Sequence, residues 1–426
     1  MSSFALAIYR GATRLFEPAA GVLLRQRERQ GKEDRARLGE RLGRAATARP
    51  SGPLAWIHGA SVGEGLAVLP LIERLNERGF AVLLTTGTVT SSRVLAARLG
   101  PRAIHQFVPL DLPGAVRRFF DHWHPDLVCF AESELWPNLL REARTRRVPT
   151  VVVNGRMSER SFARWQRAPG LIRPLLGGFD VVLAQSADDA ARFGALGAAR
   201  VLDIGNLKFD AAPPPADPAE VDAIRRIVGS RPVWIAASTH AGEDTLCLSV
   251  HQALAARWPE LLTIVVPRKV DRGEILVAEA ERLGLTAARR STHAPLEAKT
   301  GIYLADTMGE VGLFYRVAPI VFVGKSLGTA RGGQNPIEPA KLGCAILHGP
   351  NVANFTAVYD ALDGAGAATL VNDAAQLAVG VATLLSDPEK LTAAIVAGRR
   401  TVDALSGATE RTMQALTPIL ARVDTH

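Results

Sequence analysis

Asp126-Leu-Val-Cys-Phe-Ala-Glu-Ser-Glu-Leu-Trp-Pro-Asn138 continues through a helix-compatible stretch to Arg146 and into Thr150-Val-Val-Val-Asn154. Asp126 to Phe130 and Thr150 to Asn154 are short, nearly unbroken apolar runs rich in valine. Such runs fit strands buried on both faces. The helical segment between them supplies the long crossover that two parallel strands need. The stretch therefore reads as a β-α-β unit, with Glu132 and Glu134 in the loop at the carboxyl end of its first strand.

The same alternation extends in both directions. Upstream, Pro53-Leu-Ala-Trp-Ile-His58 is a strand, Leu66 to Arg78 a helix, Ala81 to Thr86 a strand, and Ser91 to Arg98 a helix capped by Thr90. Ala103 to Val108 and the helix Pro113 to Trp123 follow. Downstream come helical segments over Glu159 to Leu176, the strand Asp180 to Ala184, the helix Ala187 to Phe193, and the strand Val201 to Ile204. Ala211-Ala-Pro-Pro-Pro-Ala-Asp-Pro218 then interrupts the pattern as a linker. Strands resume at Val233 to Ala237, Leu262 to Val266, Gly301 to Leu304, Ile320 to Val323, Ala345 to Leu347 and Ala368 to Val371, and Pro388 to Val423 is alanine-rich and helical.

The expected fold is α/β, with two doubly wound Rossmann-like domains facing a cleft. Residues 1–50 form a basic helical N-terminal segment, and 51–210 the first α/β domain. Residues 211–220 are the proline-rich linker, and 221–400 the second α/β domain. Residues 401–426 form a C-terminal helix able to pack back on the N-terminal domain.

A chain of 426 residues with 47% hydrophobic and 22% charged residues has ample core for two such domains. Lys and Arg outnumber Asp and Glu by 50 to 42, which favours an anionic partner such as a nucleotide or a phospholipid surface. No basic-aromatic alternation supports nucleic acid. Cys129, Cys247 and Cys344 lie far apart, without CxxC or zinc spacing, which fits buried thiols in a reducing compartment. Phe4 to Tyr9 and Pro18 to Leu24 are apolar, but Arg10, Arg14 and Glu17 interrupt them, short of the roughly 20 apolar residues of a spanning helix. Arg25, Arg27, Arg29, Lys32, Arg35, Arg37, Arg41 and Arg44 follow. The segment either lies on an anionic leaflet or packs on the first domain as an ordinary amphipathic helix.

Ligands of doubly wound sheets bind at the carboxyl ends of the strands. In Gly59-Ala-Ser-Val-Gly-Glu64-Gly65, the carboxylate opens a helix whose positive end favours its charged form, as suits a base; the plainer reading is a helix cap. Glu132 and Glu134, two apart, share a face if extended. Lys208, in Gly205-Asn-Leu-Lys-Phe-Asp210, either neutralises phosphate or is a solvated linker charge. Pro267-Arg268-Lys269 offers a bidentate phosphate ligand or a solvated basic turn. Asp306-Thr-Met308-Gly309-Glu310 is a further loop of this kind, or a turn with a capping Asp. Gly332-Gly-Gln-Asn335-Pro336-Ile337-Glu338-Pro-Ala340 joins a strand and the loop Lys325 to Arg331 to a helix beginning near Ala340, as an anion-holding turn or a tight αβ connection. Ser238-Thr-His240 and Lys325-Ser326 can add donors. No Asp-x-Asp occurs, so charge on a diphosphate-type leaving group falls to Arg, Lys and helix ends, and no metal or cofactor is expected.

Taken together and in order, these motifs resemble the 3-deoxy-D-manno-octulosonic acid (Kdo) transferases, from the N-terminal segment to the last helices. The resemblance implies a GT-B glycosyltransferase that uses CMP-Kdo as donor and the lipid A precursor lipid IVA as acceptor. It implies inversion at the anomeric carbon without a metal, at the cytoplasmic face of a bacterial inner membrane, in lipopolysaccharide synthesis. It also implies Glu64 as general base and Glu134 and Lys208 as supports of the transition state. Pro267, Arg268, Met308, Gly309, Glu310, Asn335, Pro336, Ile337 and Glu338 match CMP-binding positions. Lys269 and Gln334 stand where the family often has His. The rival readings are a GT-B enzyme using another nucleotide sugar, a two-domain protein that binds an anion without chemistry, and a nucleic-acid-binding module.

Overall fold

The computed structural model describes residues 4–329 and 331–423. Ala330, in the loop expected over Lys325 to Arg331, and residues at both ends of the expected terminal segments lie outside the described residues. The chain divides into two compact units, one of residues up to Ala211 together with those from Leu405, the other Ala212–Ala404.

The first unit holds seven strands: β1 (Leu54–His58), β2 (Ala81–Thr86), β3 (Ala103–Phe107), β4 (Leu127–Ala131), β5 (Thr150–Gly155), β6 (Val181–Ala184) and β7 (Val201–Asp203). Their order is β3-β2-β1-β4-β5-β6-β7, and every neighbouring pair is parallel. All five residues of β1 are buried because alternate side chains feed two cores. Ala55 and Ile57 pack with Leu71, Leu75, Leu416 and Leu420. Leu54 and Trp56 face Phe119, Phe120 and Trp123, with the Phe119 ring 4.7 Å from the Trp56 ring and tilted by 57°. The final helix, Ala408–Val423, is thus part of this unit's core. The helix before it, Pro388–Leu405, runs past residue 401, so the expected boundary there falls inside a helix.

Proline and capping chemistry account for other shifted boundaries. The helix expected over Leu66 to Arg78 is two, Val62–Ala67 and Leu69–Glu77, because Pro70 in the first turn of the second cannot donate to the preceding one. Pro169 likewise starts a new helix, Pro169–Leu176, after Glu159–Gln166. The expected cap Thr90 lies within Val89–Ala96, whose cap is Thr88, with its Oγ1 accepting from the Ser91 amide at 3.1 Å.

The N-terminal helices Phe4–Phe16 and Ala20–Arg29 are held on one side and bare on the other. The Tyr9 hydroxyl donates to Asp111 (2.9 Å), Asn138 donates to Thr13 Oγ1 (3.1 Å), and Ala20 and Leu24 are buried. Phe4, Ile8, Leu15, Phe16, Val22 and Leu23 are exposed. The basic run that follows is split. Arg27 and Arg41 both hold Glu33 at 2.9 Å, and Arg37 holds Glu40, so these three turn inward. Arg25, Arg29, Lys32, Arg35 and Arg44 are exposed. Among the described residues no helix is long and apolar enough to cross a membrane.

The second unit holds β8 (Val233–Thr239), β9 (Leu262–Pro267), β10 (Ala287–Arg289), β11 (Ile302–Leu304), β12 (Ile320–Val323), β13 (Ala345–His348) and β14 (Ala368–Leu370). The order is β10-β11-β9-β8-β12-β13-β14, again all parallel. Strand β10 has no apolar run and was not expected; three residues at a sheet edge need none. The linker expected over 211–220 ends in a helix, Pro218–Val228, capped by Asp217. Its prolines are anchored: Arg316 donates to the Pro214 carbonyl at 2.8 Å, and a Cβ on Gly312 would sit 2.5 Å from that oxygen. The helix after the glycine loop is Ile337–Lys341, so it ends near Ala340 instead of beginning there. Gly332 and Gly333 take φ of +115° and +67°, the conformation that lets the chain double back there.

Strand order reverses between β1 and β4 in the first unit and between β8 and β12 in the second. In doubly wound sheets these switch points are where ligands sit.

Candidate active site

In the first unit the loops after β1 and β4 bring three carboxylates together. Ser61 caps the helix Val62–Ala67 by accepting from the Glu64 amide at 3.3 Å. Glu64 answers with both oxygens: Oε1 accepts from Ser61 Oγ (2.7 Å) and Oε2 from the Ala60 amide (2.8 Å). This is a capping box, so the plain structural reading of Glu64 holds as geometry. The carboxylate nonetheless lies within electrostatic reach of Glu132 and Glu134.

Glu132 is not extended. It takes φ +54°, a left-handed conformation unusual for a non-glycine residue, and this sends Glu132 and Glu134 in different directions. The expected shared face is therefore absent. Glu132 Oε1 binds Lys208 Nζ at 2.7 Å, both side chains being mostly buried. Glu134 Oε2 accepts from Trp136 Nε1 at 2.7 Å and lies 3.6 Å from His58 Nε2. Trp56 Nε1 donates to Thr85 Oγ1 (2.8 Å), and His58 Nδ1 lies 3.0 Å from that hydroxyl and 3.1 Å from the Thr85 carbonyl oxygen.

These environments push two carboxyls apart. Burial, then the Glu132 charge, raises Glu64 above the ordinary value, and the hydrogen bonds from Ser61 and Ala60 do not offset this. The expectation that the helix end favours the charged form is overturned: neighbouring carboxylates and desolvation outweigh it. For Glu134 burial also raises the pKa, but His58 and Trp136 more than offset this and hold it below the ordinary value. One carboxyl is suited to exchange a proton while its neighbour stays anionic.

In the second unit the residues expected to bind CMP lie at the ends of β9, β11 and β12, beside the end of β8, where Ser238-Thr-His240 was expected to add donors. Pro267 ends β9 and is buried, while Arg268 is exposed. Arg268 donates its amide to the Thr239 carbonyl at 2.9 Å. Met308 is 60% exposed and Gly309 has φ +88°. The Glu310 carboxylate is already taken by Arg290 (2.5 Å) and by Thr307, and the Arg290 bonds pull it below the ordinary value. Asn335 closes the short helix start by accepting from the Ile337 amide (3.1 Å) and donates to Glu338 Oε1 (3.1 Å). Pro336 caps that helix and Ile337 is buried.

The residue sequence reasoning missed is Glu243. It is 3% exposed and its two oxygens accept four backbone amides: His240 (2.9 Å), Lys325 (2.6 Å), Ser326 (2.8 Å) and Leu327 (2.8 Å). One carboxylate thereby fastens the β8 loop to the β12 loop across the switch point. Glu243 at the first position of a helix reads as a routine first-turn acid, so nothing local marked it. His58 carried only the signal of a histidine ending an apolar strand. Among the described residues no group of three or more His, Cys, Asp or Glu could hold a metal ion.

Two tandem doubly wound units, each with its site residues at the strand carboxyl ends, define the GT-B class. The UDP-GlcNAc 2-epimerase of Neisseria meningitidis, solved with UDP-GlcNAc, shares this fold at a TM-score of 0.58 and 13% identity, over 86% of this chain and 100% of that one. The family described as 3-Deoxy-D-manno-octulosonic-acid transferase (kdotransferase) matches residues 36–211. The 3-deoxy-D-manno-octulosonic acid transferase of Bordetella pertussis is 37% identical over 389 residues, covering 88% of this chain and 90% of the relative. That of Haemophilus influenzae is 34% identical over 397 residues, covering 91% and 92%. The chain belongs to the 3-deoxy-D-manno-octulosonic acid transferase family and is a glycosyltransferase.

Proposed function

We propose that the chain transfers Kdo from CMP-Kdo to the lipid A precursor lipid IVA, with inversion and without a metal, Glu64 acting as general base. The observation that carries this is the divergence of Glu64, raised, and Glu134, lowered, in one cluster. Glu64 takes the proton of the acceptor hydroxyl; the oxygen attacks the anomeric carbon as its bond to the phosphate breaks, and CMP leaves. Glu134 stays anionic beside the developing positive charge on the sugar, and the Lys208–Glu132 pair fixes the neighbouring loop. The first unit holds the acceptor. The second holds CMP-Kdo through Pro267, Arg268, Met308, Gly309, Glu310 and residues 335–338. With Glu310 and Asn335 already engaged, the backbone of these loops supplies much of the contact.

The bare face of the N-terminal helices and the exposed arginines that follow favour a phospholipid surface, which we assign to the cytoplasmic leaflet of a bacterial inner membrane.

The test is to incubate the purified protein with CMP-Kdo and lipid IVA and weigh the lipid product. A mass gain of one or more Kdo units is expected, and Glu64→Ala should cut turnover by about 10²–10⁴-fold while CMP binding stays intact. Near-normal turnover by that variant removes Glu64 from the mechanism. A larger thermal shift with UDP than with CMP favours the other reading, a GT-B enzyme with a different nucleotide sugar.

A further inference from the structure

The switch point of the second unit gathers cations without a matching set of anions. His240 opens the loop after β8, two residues after Ser238, which takes φ +56°. Its amide and that of Lys325 donate to the same Glu243 oxygen, which sets the two residues side by side. Arg268 is tied to Thr239, the residue before His240. Arg268, Lys269 and Lys325 all act electrostatically on the imidazole. The acidic group facing it is Glu243, whose oxygens are filled by four amides. Three side-chain cations therefore stand against one carboxylate that has no direction left in which to pair with them.

Gln334 completes the arrangement. Its amide donates to the Gly324 carbonyl (3.1 Å), its carbonyl accepts from the Tyr359 hydroxyl (3.0 Å), and its side-chain Nε2 lies 3.3 Å from His240 Nε2. An amide NH₂ donating to that ring nitrogen leaves the imidazole proton on Nδ1. A backbone pinned at two points makes Gln334 a fixed partner.

We propose that His240 is a direct ligand of the donor's phosphate, giving it a hydrogen bond from Nδ1–H, and that Gln334 is the positioning residue that keeps the proton on that nitrogen. This rests on the reading that the second unit binds a cytidine nucleotide. The bond strengthens as the C–O bond to phosphate breaks and charge gathers on the leaving oxygen, so it assists departure without moving a proton. Arg268, Lys269 and Lys325 supply the charge; His240 supplies direction. Burial and the surrounding cations hold the imidazole below its usual pKa, and a bound phosphate reverses the sign of that field.

Calorimetric titration of the full chain with CMP and with cytidine tests this. His240→Ala is expected to weaken CMP by about tenfold or more and cytidine by little, since only CMP carries the phosphate. His240→Asn, which places an amide donor near the Nδ1 position, should recover more of the CMP affinity than His240→Gln, which places it near Nε2. Gln334→Met should change the pH dependence of CMP affinity while leaving that of cytidine alone. Equal losses for both ligands, no loss for CMP, or better rescue by Gln than by Asn overturns the proposal. If the unaltered chain binds neither ligand, the nucleotide reading fails and takes this inference with it; if it binds CMP and His240→Ala does too, the nucleotide reading survives alone.

Discussion

Glu64 and Glu134 bring one functional group into one cluster in two protonation regimes, and the difference is set by neighbours. A general base must be ionised, so the acid limb of kcat/KM should lie above the ordinary Glu value of 4.5. Glu132→Gln removes the largest charge acting on Glu64, which favours the charged carboxylate. The acid limb should therefore move to lower pH in that variant, measured as a kcat/KM profile; an upward shift would contradict the assignment. The motif positions were readable in the chain because their residue types exceed what turns require. The partnerships were not. That Glu132 pairs with Lys208, 76 positions away, and Glu134 with Trp136 and His58, depends on the left-handed turn at Glu132, which no propensity suggests.

At the scale of elements, strands announced themselves where both faces are buried, as in β1, β4 and β5. Edge strand β10 did not, because its pairing is carried by backbone and its burial is slight. The loop assembly at the second switch point depends on close backbone approach. A Cβ on Gly349 would meet the Ser326 carbonyl oxygen at 2.1 Å. Gly349→Ala is expected to cost about 1–3 kcal/mol of stability by overpacking. By displacing residues 325–327 it should also weaken CMP, read as a joint loss in thermal midpoint and affinity. The N-terminal helices offer the opposite case. Leu15 and Phe16 are 85% and 59% exposed, so replacing both by Ser should leave stability within about 0.5 kcal/mol. If the bare face enters a lipid surface, the same pair should weaken binding to anionic vesicles by more than about tenfold. Unchanged flotation with vesicles would show that the face does something else.

For the whole molecule, each unit carries a histidine held neutral by its surroundings. Burial, then Arg37 and Arg41, lowers His105 to about 4, and burial, then Arg231, lowers His251 to about 4. Both sit below the unfolded value of 6.5, so the stability they contribute is complete above that pH and is lost as pH falls toward 4. The urea midpoint should decline through that window, and a His105→Gln, His251→Gln double variant should show a flatter decline from its own starting value. The two-sheet architecture was legible from alternation alone, since continuous apolar runs and crossover helices leave few other folds. The limit of the first unit was less so: alanine-rich helices such as Pro388–Leu405 and Ala408–Val423 look alike in sequence, yet only the second joins Leu71 and Leu75.

That return of the chain has a practical corollary for dissection. Residues 212–404 form one continuous piece whose two ends both connect to the first unit, as an inserted cassette would. A fragment stopped at Ala211 lacks Leu416, Ile419 and Leu420, and leaves an apolar trough along one side of its sheet. Such a fragment should aggregate when produced alone and become soluble when a peptide spanning 405–423 is supplied separately. The last helix would then serve as a detachable half of a split protein, and its recapture would report the folding of a unit whose sequence begins some four hundred residues earlier.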